Sequence, residues 1–255
     1  VILDNGSVSC WGNREQMGNG NAAGSTIPTL TSSFGSGRTA VAISAGEAHT
    51  CVILDNGSVS CWGHGGSGRL GNGDMEQRLS PTLTNTLGHG RTAVEISSGH
   101  SHTCAVLDNG SVSCWGSGTY GKLGISDLST NDMPTPQLID SLGSGRNASN
   151  ISAGTQHTCA LLDNGEISCW GADGNGRLGH GLIDGVRYQP ATHYSEMASM
   201  GTVSSTAVEG LPIKYAVRGS LFDDIDYSQV SFHVDTPAGL VFNVANHTIT
   251  GTPSY

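Results

Sequence analysis

Over residues 1–190, short apolar runs alternate with turns rich in Gly, Asn and Asp, and the alternation recurs as one long unit. Its centre is the stretch from Cys51 to Gly63, repeated from Cys104 to Gly116 and from Cys159 to Gly171. A fourth copy runs from Val1 to Gly12 without the leading cysteine. Within the stretch, Asp55, Asn56 and Gly57 carry a turn signal: Asn and Gly accept positive φ, and an Asp side chain bonds its own turn backbone. The flanking runs, Cys51 to Leu54 and Ser58 to Trp62, are rich in β-branched and aliphatic residues, so the pattern predicts a β-hairpin. On its first strand Val52 and Leu54 face one way, Cys51 and Ile53 the other, and none is charged. Both sheet faces are therefore expected to be covered, because a half-solvated sheet alternates apolar with polar.

Folding about Asn56 sets Cys51 opposite Cys61, a register that a three-residue loop with Gly57 in the left-handed region provides. Disulfides are expected at Cys51–Cys61, Cys104–Cys114 and Cys159–Cys169, with free thiols or metal ligands as the alternative. Cysteine is used seven times. The odd one, Cys10, matches Cys61, Cys114 and Cys169, and its partner is expected just before Val1, so the chain is read as beginning inside a repeat. Paired cysteines imply an oxidising compartment: extracellular, cell-surface or periplasmic.

The second cysteines, at 10, 61, 114 and 169, are spaced by 51, 53 and 55 residues. After each Trp-Gly comes a Gly-rich turn, Gly68 to Gly71, Gly121 to Gly124 and Gly176 to Gly179, then a polar loop of variable length. A Pro-containing step follows at Pro28, Pro81 and Pro134, then a Gly-x-Gly-Arg turn at 35–38, 88–91 and 143–146. A short strand ending Ile-Ser-x-Gly leads through two variable residues and His-Thr-Cys into the next hairpin. A period near fifty with about four short strands per unit predicts propeller blades.

Composition narrows the function. Glycine is abundant, at 38 residues, while charged residues make up only 13%, which suits short punctuated strands. The formal net charge is −10, with two lysines in the chain, and such a surface does not wrap nucleic acid. No run of eighteen apolar residues exists, so membrane insertion by a helix is not expected.

Taken together, Ile-Ser-Ala-Gly-x-x-His-Thr, Leu-Asp-Asn-Gly-x-Val, Cys-Trp-Gly and Gly-Arg-Leu-Gly resemble the regulator of chromosome condensation repeat. The cysteine pair is similar to that of its extracellular bacterial-type branch. The resemblance implies a β-propeller over residues 1–195, here a partial one of about four repeat units. From Thr202 onward the pattern changes. Gly210 to Val217, Ser231 to Val234, Pro237 to Phe242 and Thr248 to Pro253 read as alternating strands of a sandwich. Residues 200–255 resemble the immunoglobulin-like, cadherin-related modules of bacterial surface proteins, here an incomplete one. The fold class expected is all-β, a partial propeller followed by a C-terminal β-sandwich-like segment.

Candidate chemistry is sparse. Gly174 to Gly179 spells a dinucleotide fingerprint but lacks the flanking strand and helix that hold a pyrophosphate. His49, His102 and His157 recur two residues before a cysteine; zinc needs four converging ligands, so each imidazole is expected to bond local backbone at the blade turn. Trp11, Trp62, Trp115 and Trp170 read as packing between blades, with a binding platform or chromophore as the alternative. Asp223, Asp224 and Asp226 could hold calcium, but read as a solvated turn. Asn147, Asn150 and Asn246 lie in glycosylation sequons. No catalytic motif is present, and neither a cofactor nor a metal is expected.

The expected function is a non-enzymatic protein-binding or adhesion scaffold of a secreted or cell-surface multidomain protein. Its partner, a protein or a surface glycan, would be taken by propeller-face loops. The binding residues expected are the variable positions before His-Thr-Cys, Glu47, His100 and Gln156, and those after Trp-Gly, His64, Tyr120 and Asp173. The alternative, implied by the family's founding activity, is guanine-nucleotide exchange on a small GTPase. An enzyme acting on surface glycans would need a carboxylate pair, and none is recognisable.

Overall fold

The computed structural model describes residues 1–21, 23–126, 131–179 and 185–192, and three short strands between residues 213 and 251. It divides into two units, Val1–Glu196 and Met197–Tyr255. The first unit opens on a partial sheet of β1 (Ser9–Gly12) and β2 (Ser25–Leu30), with an isolated bridge between Ile2 and Val8. Three four-stranded antiparallel sheets follow, each a meander with strands in chain order. The second sheet holds β3 (Ala40–Ala45), β4 (His49–Leu54), β5 (Val59–Gly63) and β6 (Arg78–Leu83). The third holds β7 (Ala93–Ser98), β8 (His102–Leu107), β9 (Val112–Gly116) and β10 (Met133–Leu138). The fourth holds β11 (Ala148–Ala153), β12 (His157–Leu162), β13 (Ile167–Ala172) and β14 (Val186–Thr192).

The expected hairpin is the middle pair of each sheet. Asp55 to Gly57 turn the chain with Gly57 at φ 75, and Cys51 falls directly opposite Cys61. The sulfurs are bonded, as are those of Cys104–Cys114 and Cys159–Cys169, each pair with Cα atoms 4.1 Å apart. Cys10 is a free, half-buried thiol. At the same end of each sheet an Arg of the Gly-x-Gly-Arg turn meets the hairpin Asp: Arg38–Asp55 at 3.3 Å, Arg91–Asp108 and Arg146–Asp163 at 3.7 Å. These pairs are exposed and position the turn more than they stabilise it.

The core lies between consecutive sheets rather than within one. Val52, Leu54 and Trp62 pack back against the first sheet with Val8, while Cys51, Ile53, Val59 and Cys61 pack forward against Ala105, Leu107 and Trp115 of the third. The third sheet repeats the arrangement toward the fourth, where Trp170 joins Cys104, Val106, Val112 and Cys114. This is the two-sided burial that the uncharged β4 pattern requires. The strands β3, β7 and β11 are successive neighbours, tied where Ser98 N–H donates to Ser44 Oγ at 2.8 Å and Ala153 N–H to Ser97 Oγ at 2.9 Å.

The second unit holds β15 (Ile213–Ala216), β16 (Leu240–Asn243) and β17 (Thr248–Gly251) in one antiparallel sheet with β17 in the middle. The expected sandwich of residues 200–255 otherwise lies outside the described residues, as do Asp223, Asp224, Asp226 and Asn246. Among the described residues no helix is long and apolar enough to cross a membrane.

Candidate recognition face

A four-stranded meander sends its first and third connections to one end and its second connection and exit to the other. The β3–β4 turn at 46–48 and the β5–β6 loop at 64–77 thus emerge together, as do their counterparts in the next two sheets. Backbone bonds join the two connections: His64 N–H donates to Ala48 O at 2.8 Å, Ser117 N–H to Ser101 O at 2.9 Å, and Ala172 N–H to Gln156 O at 2.9 Å. The variable positions before His-Thr-Cys and after Trp-Gly are therefore brought onto one face.

Glu47 and His100, one blade apart, form a pair with Oε2 and Nε2 2.7 Å apart, and both side chains are about half exposed. Turns of successive blades also touch through backbone, Glu47 N–H reaching Gly99 O at 3.4 Å and His100 N–H reaching Gly154 O at 3.3 Å. Gln156 is half-buried and its Oε1 accepts from Arg177 Nη1 at 3.2 Å. His64 is exposed, its Nδ1 accepting Gly66 N–H at 3.1 Å.

The three positions expected after Trp-Gly are not equivalent to one another. Tyr120 stands exposed at φ 64, in the place held by Ser67 at φ 61 and Asn175 at φ 65. Asp173 instead occupies the place of Gly65 and Gly118 and is fully buried, its Oδ1 accepting Leu178 N–H at 2.9 Å. It caps a turn from the interior. Gly174–Gly176 is a three-residue 3-10 turn, so the dinucleotide-like spelling there opens no helix.

Beneath the face runs a ladder of buried polar contacts. His49 Nε2 lies 2.8 Å from Thr103 Oγ1, and that hydroxyl donates to Arg69 O at 3.0 Å. The hydroxyl proton is spent on the carbonyl, so the imidazole carries its proton on Nε2. Trp115 Nε1 donates to the same carbonyl at 3.0 Å. One blade on, His102 Nε2, Thr158 Oγ1, Lys122 O and Trp170 Nε1 repeat the arrangement with contacts of 2.8, 2.8 and 3.0 Å. The expectation that each imidazole bonds local backbone is thus corrected for His49 and His102. Their Nε2 partner is a threonine in the next sheet, while the Cε1–Nδ1 edge of each ring packs against the glycine of its own turn, Gly46 or Gly99.

Burial, with the nearby Arg69 and His64, pushes the His49 pKa down to about 3, and His102 is lowered by burial and by Lys122. Both rings are neutral at neutral pH, with Nδ1 buried and unbonded among the described residues. The cysteines are in disulfides and the ladder occupies Nε2, so the His-Thr-Cys motif is not a metal set here. No group of three or more His, Cys, Asp or Glu converges among the described residues.

One repeated position escaped the sequence reading. Arg69, Lys122 and Arg177 precede the Leu of each Gly-rich turn; the first two lie buried under the face and Arg177 is exposed. Arg69 is buried, with Nε on Gly66 O at 2.9 Å and Nη1 on His100 O at 3.0 Å. Lys122 is buried with Nζ 2.9 Å from Ser101 Oγ. The signal was available: a basic residue recurs at that place in three of four repeats of an acidic chain.

Among the described residues, grooves of about 300 and about 210 Å³ lie at the opposite end. They are lined by matching repeat positions, Val59 and Val112, Leu83 and Leu138, Arg91 and Arg146. These are frame residues, whereas Glu47, His64, His100 and Tyr120 differ from repeat to repeat.

The profile of the Regulator of chromosome condensation (RCC1) repeat matches residues 5–53, 56–106 and 109–161, and a second RCC1 repeat profile matches 40–69, 93–122 and 148–177. The human E3 ubiquitin-protein ligase HERC2 is 34% identical over 195 residues, 74% of this chain and 4% of that protein. The Ultraviolet-B receptor UVR8 of Arabidopsis thaliana is 35% identical over 185 residues, 71% of this chain and 41% of that protein. Among solved structures, human WBSCR16 superposes with a TM-score of 0.65 at 22% identity, covering 75% of this chain and 49% of that one. Prp20p from Saccharomyces cerevisiae gives 0.61 at 21%, covering 73% and 47%. The chain spans less than half the length of each, and the structural likeness shows the propeller-type fold. With the repeat profile matched three times in succession across more than half of the residues, the chain belongs to the regulator of chromosome condensation repeat family.

Proposed function

We propose that this chain is a non-enzymatic recognition scaffold of a secreted or cell-surface protein. It takes a protein partner on the face carrying Glu47, His64, His100, Tyr120 and Gln156. The observation behind this reading is a division of labour within each repeat. Residues that recur are buried in disulfides, the His–Thr ladder and interblade packing, while those that differ stand together at one end. A broad, polar, loop-built face with an exposed Tyr suits protein recognition, where aromatic side chains act as anchors. Prp20p, which shares the fold, binds Gsp1p and histones, and the family relatives include a receptor and a ubiquitin ligase. The disulfide in each complete blade favours an oxidising compartment and so weighs against nucleotide exchange on a small GTPase.

The test is capture from the extracellular fraction of the source organism on immobilised chain. Three baits are compared: the unaltered chain, a variant with Glu47→Arg, His100→Glu and Tyr120→Ala, and a variant with Arg91→Glu and Arg146→Glu at the opposite end. The proposal expects proteins retained by the first and third baits and absent from the second. Equal capture by all three, or loss only with the third, would overturn it.

A further inference from the structure

Three cations hold the same place in successive Gly-rich turns, and two of them are satisfied from within the chain. Arg69 spends Nε and Nη1 on the carbonyls of Gly66 and His100. Arg177 spends the same groups on Gly174 O and Gln156 Oε1. Lys122 makes neither kind of contact. It is 4% exposed, and among the described residues the one hydrogen bond of its side chain runs from Nζ to Ser101 Oγ at 2.9 Å. The third sheet packs against a neighbour on each side, so this place is enclosed by the chain itself.

A buried ammonium carries three donors and a full charge, and both are unfavourable to leave unanswered. No carboxylate among the described residues pairs with Nζ. Burial lowers the Lys122 pKa, Asp132 raises it without forming an ion pair, and Arg69 lowers it.

The surroundings of Lys122 are hydroxyls where the other turns carry none. Ser101, Ser117 and Thr119 stand at the positions of Ala48, His64 and Gly66 in the second sheet and of Gln156, Ala172 and Gly174 in the fourth. Ser101 belongs to the face turn, beside the exposed His100. Its Oγ accepts from Lys122 and keeps its own proton, so an ammonium N–H and a hydroxyl O–H stand side by side. Two exposed tyrosines border them. Tyr120 lies two residues before Lys122, and the ring of Tyr188 packs on Gly121, where an added Cβ would meet Cδ1 at 2.5 Å.

We infer that Lys122 and Ser101 form a carboxylate site on the recognition face, filled by an Asp or Glu side chain of the protein partner. A carboxylate supplies the opposite charge and two acceptor oxygens, one for each donor, in the charge-assisted bonding that is strongest. The occupant is a protein segment rather than a free anion because Tyr120 and Tyr188 offer it aromatic anchors. The inference rests on the reading of this face as a protein-recognition surface and gives the partner an acidic contact residue.

The test is NMR of the full chain grown with lysine isotope-labelled at Cε, which reports Lys122 and Lys214. Lys214→Arg identifies the Lys122 signal without touching the site. Three probes are added at constant pH and ionic strength: sodium acetate, an acetylated and amidated tetra-aspartate peptide, and its tetra-asparagine isostere. The Lys122 signal should shift saturably with acetate at about 10–100 mM and with tetra-aspartate at about a tenth of that concentration or less. Tetra-asparagine should leave it unmoved, and Lys214 should respond to none of the three. Ser101→Ala removes the second donor and should raise the tetra-aspartate midpoint about tenfold. An unmoved Lys122 signal, matching shifts at Lys214 or with tetra-asparagine, acetate as potent as tetra-aspartate, or a midpoint indifferent to Ser101→Ala would each overturn the inference. Capture of a partner is read separately, so failure of the carboxylate site and failure of the recognition face are told apart.

Discussion

His49 Nε2 lies 2.8 Å from Thr103 Oγ1, in the next sheet and 54 residues further along the chain. That contact holds consecutive blades in register, with Nε2–H donating to the hydroxyl, and burial beside Arg69 and His64 keeps the ring neutral. In the unfolded chain the ring takes a second proton near its ordinary pKa of 6.5; in the folded chain His49 does so only at about 3. The unfolded state therefore binds more protons across that window, and stability must fall as pH falls from 6.5. Each such histidine steepens the decline by about 1.4 kcal/mol per pH unit. Urea unfolding should be insensitive to pH between 7 and 8 and weaken steadily from 6.5 to 5, before the carboxylates titrate. His49→Gln should flatten that slope; an unchanged slope would mean that His49 does not set it.

The Trp115 indole gives a second measure of the ladder. Arg69 O accepts from both Trp115 Nε1 and Thr103 Oγ1. Trp115→Phe keeps most of the packing and leaves the carbonyl one partner, so it should cost about 1 kcal/mol. Trp115→Ala opens a cavity in the interblade core and should cost about 3–5 kcal/mol. Chemical denaturation separates the two, and equal losses would mean that the hydrogen bond rather than the packing dominates.

Two glycines separate backbone strain from collision. Gly71 has φ 71, and a Cβ there would lie 2.8 Å from Trp115 Nε1; Gly37 has φ 70 with nothing within 4 Å. Gly37→Ala should cost about 1–2 kcal/mol from the left-handed conformation alone. Gly71→Ala should add about 1–3 kcal/mol for overpacking against the indole. Matching Tm values for the two variants would contradict the tight turn–Trp contact.

The Glu47–His100 pair should behave in the opposite manner. Both side chains are about half exposed, and such pairs contribute about 0–1 kcal/mol. Glu47→Gln should leave the unfolding midpoint nearly unchanged while weakening capture of a partner. A large loss of stability without any change in capture would make the pair structural.

Much of the frame was legible because it is local. The register of Cys51 with Cys61 follows from the turn at Asn56 and Gly57, and the two-sided burial of β4 from its lack of charge. What the sequence hid is contact between repeats. His49 finds its partner in Thr103, a relationship that no local pattern carries, and the bonding of His-Thr-Cys was misassigned to the nearest backbone for that reason. Tyr120 and Asp173 looked alike as residues soon after Trp-Gly. The chain has a fixed backbone path there: one position is forced to positive φ and stands out, and the other is drawn inward to cap Leu178. The basic residue of the Gly-rich turn was in plain view, but its burial under the recognition face depends on the neighbouring blade.

The secreted scaffold stands or falls on a thiol count of protein recovered from its native compartment. The recognition frame is clamped by Cys51–Cys61, Cys104–Cys114 and Cys159–Cys169. Peptide mass after alkylation under denaturing conditions should therefore show Cys51, Cys61, Cys104, Cys114, Cys159 and Cys169 unlabelled without reductant and labelled with it. Labels on all six before reduction would contradict the clamped frame and, with it, the secreted or cell-surface scaffold.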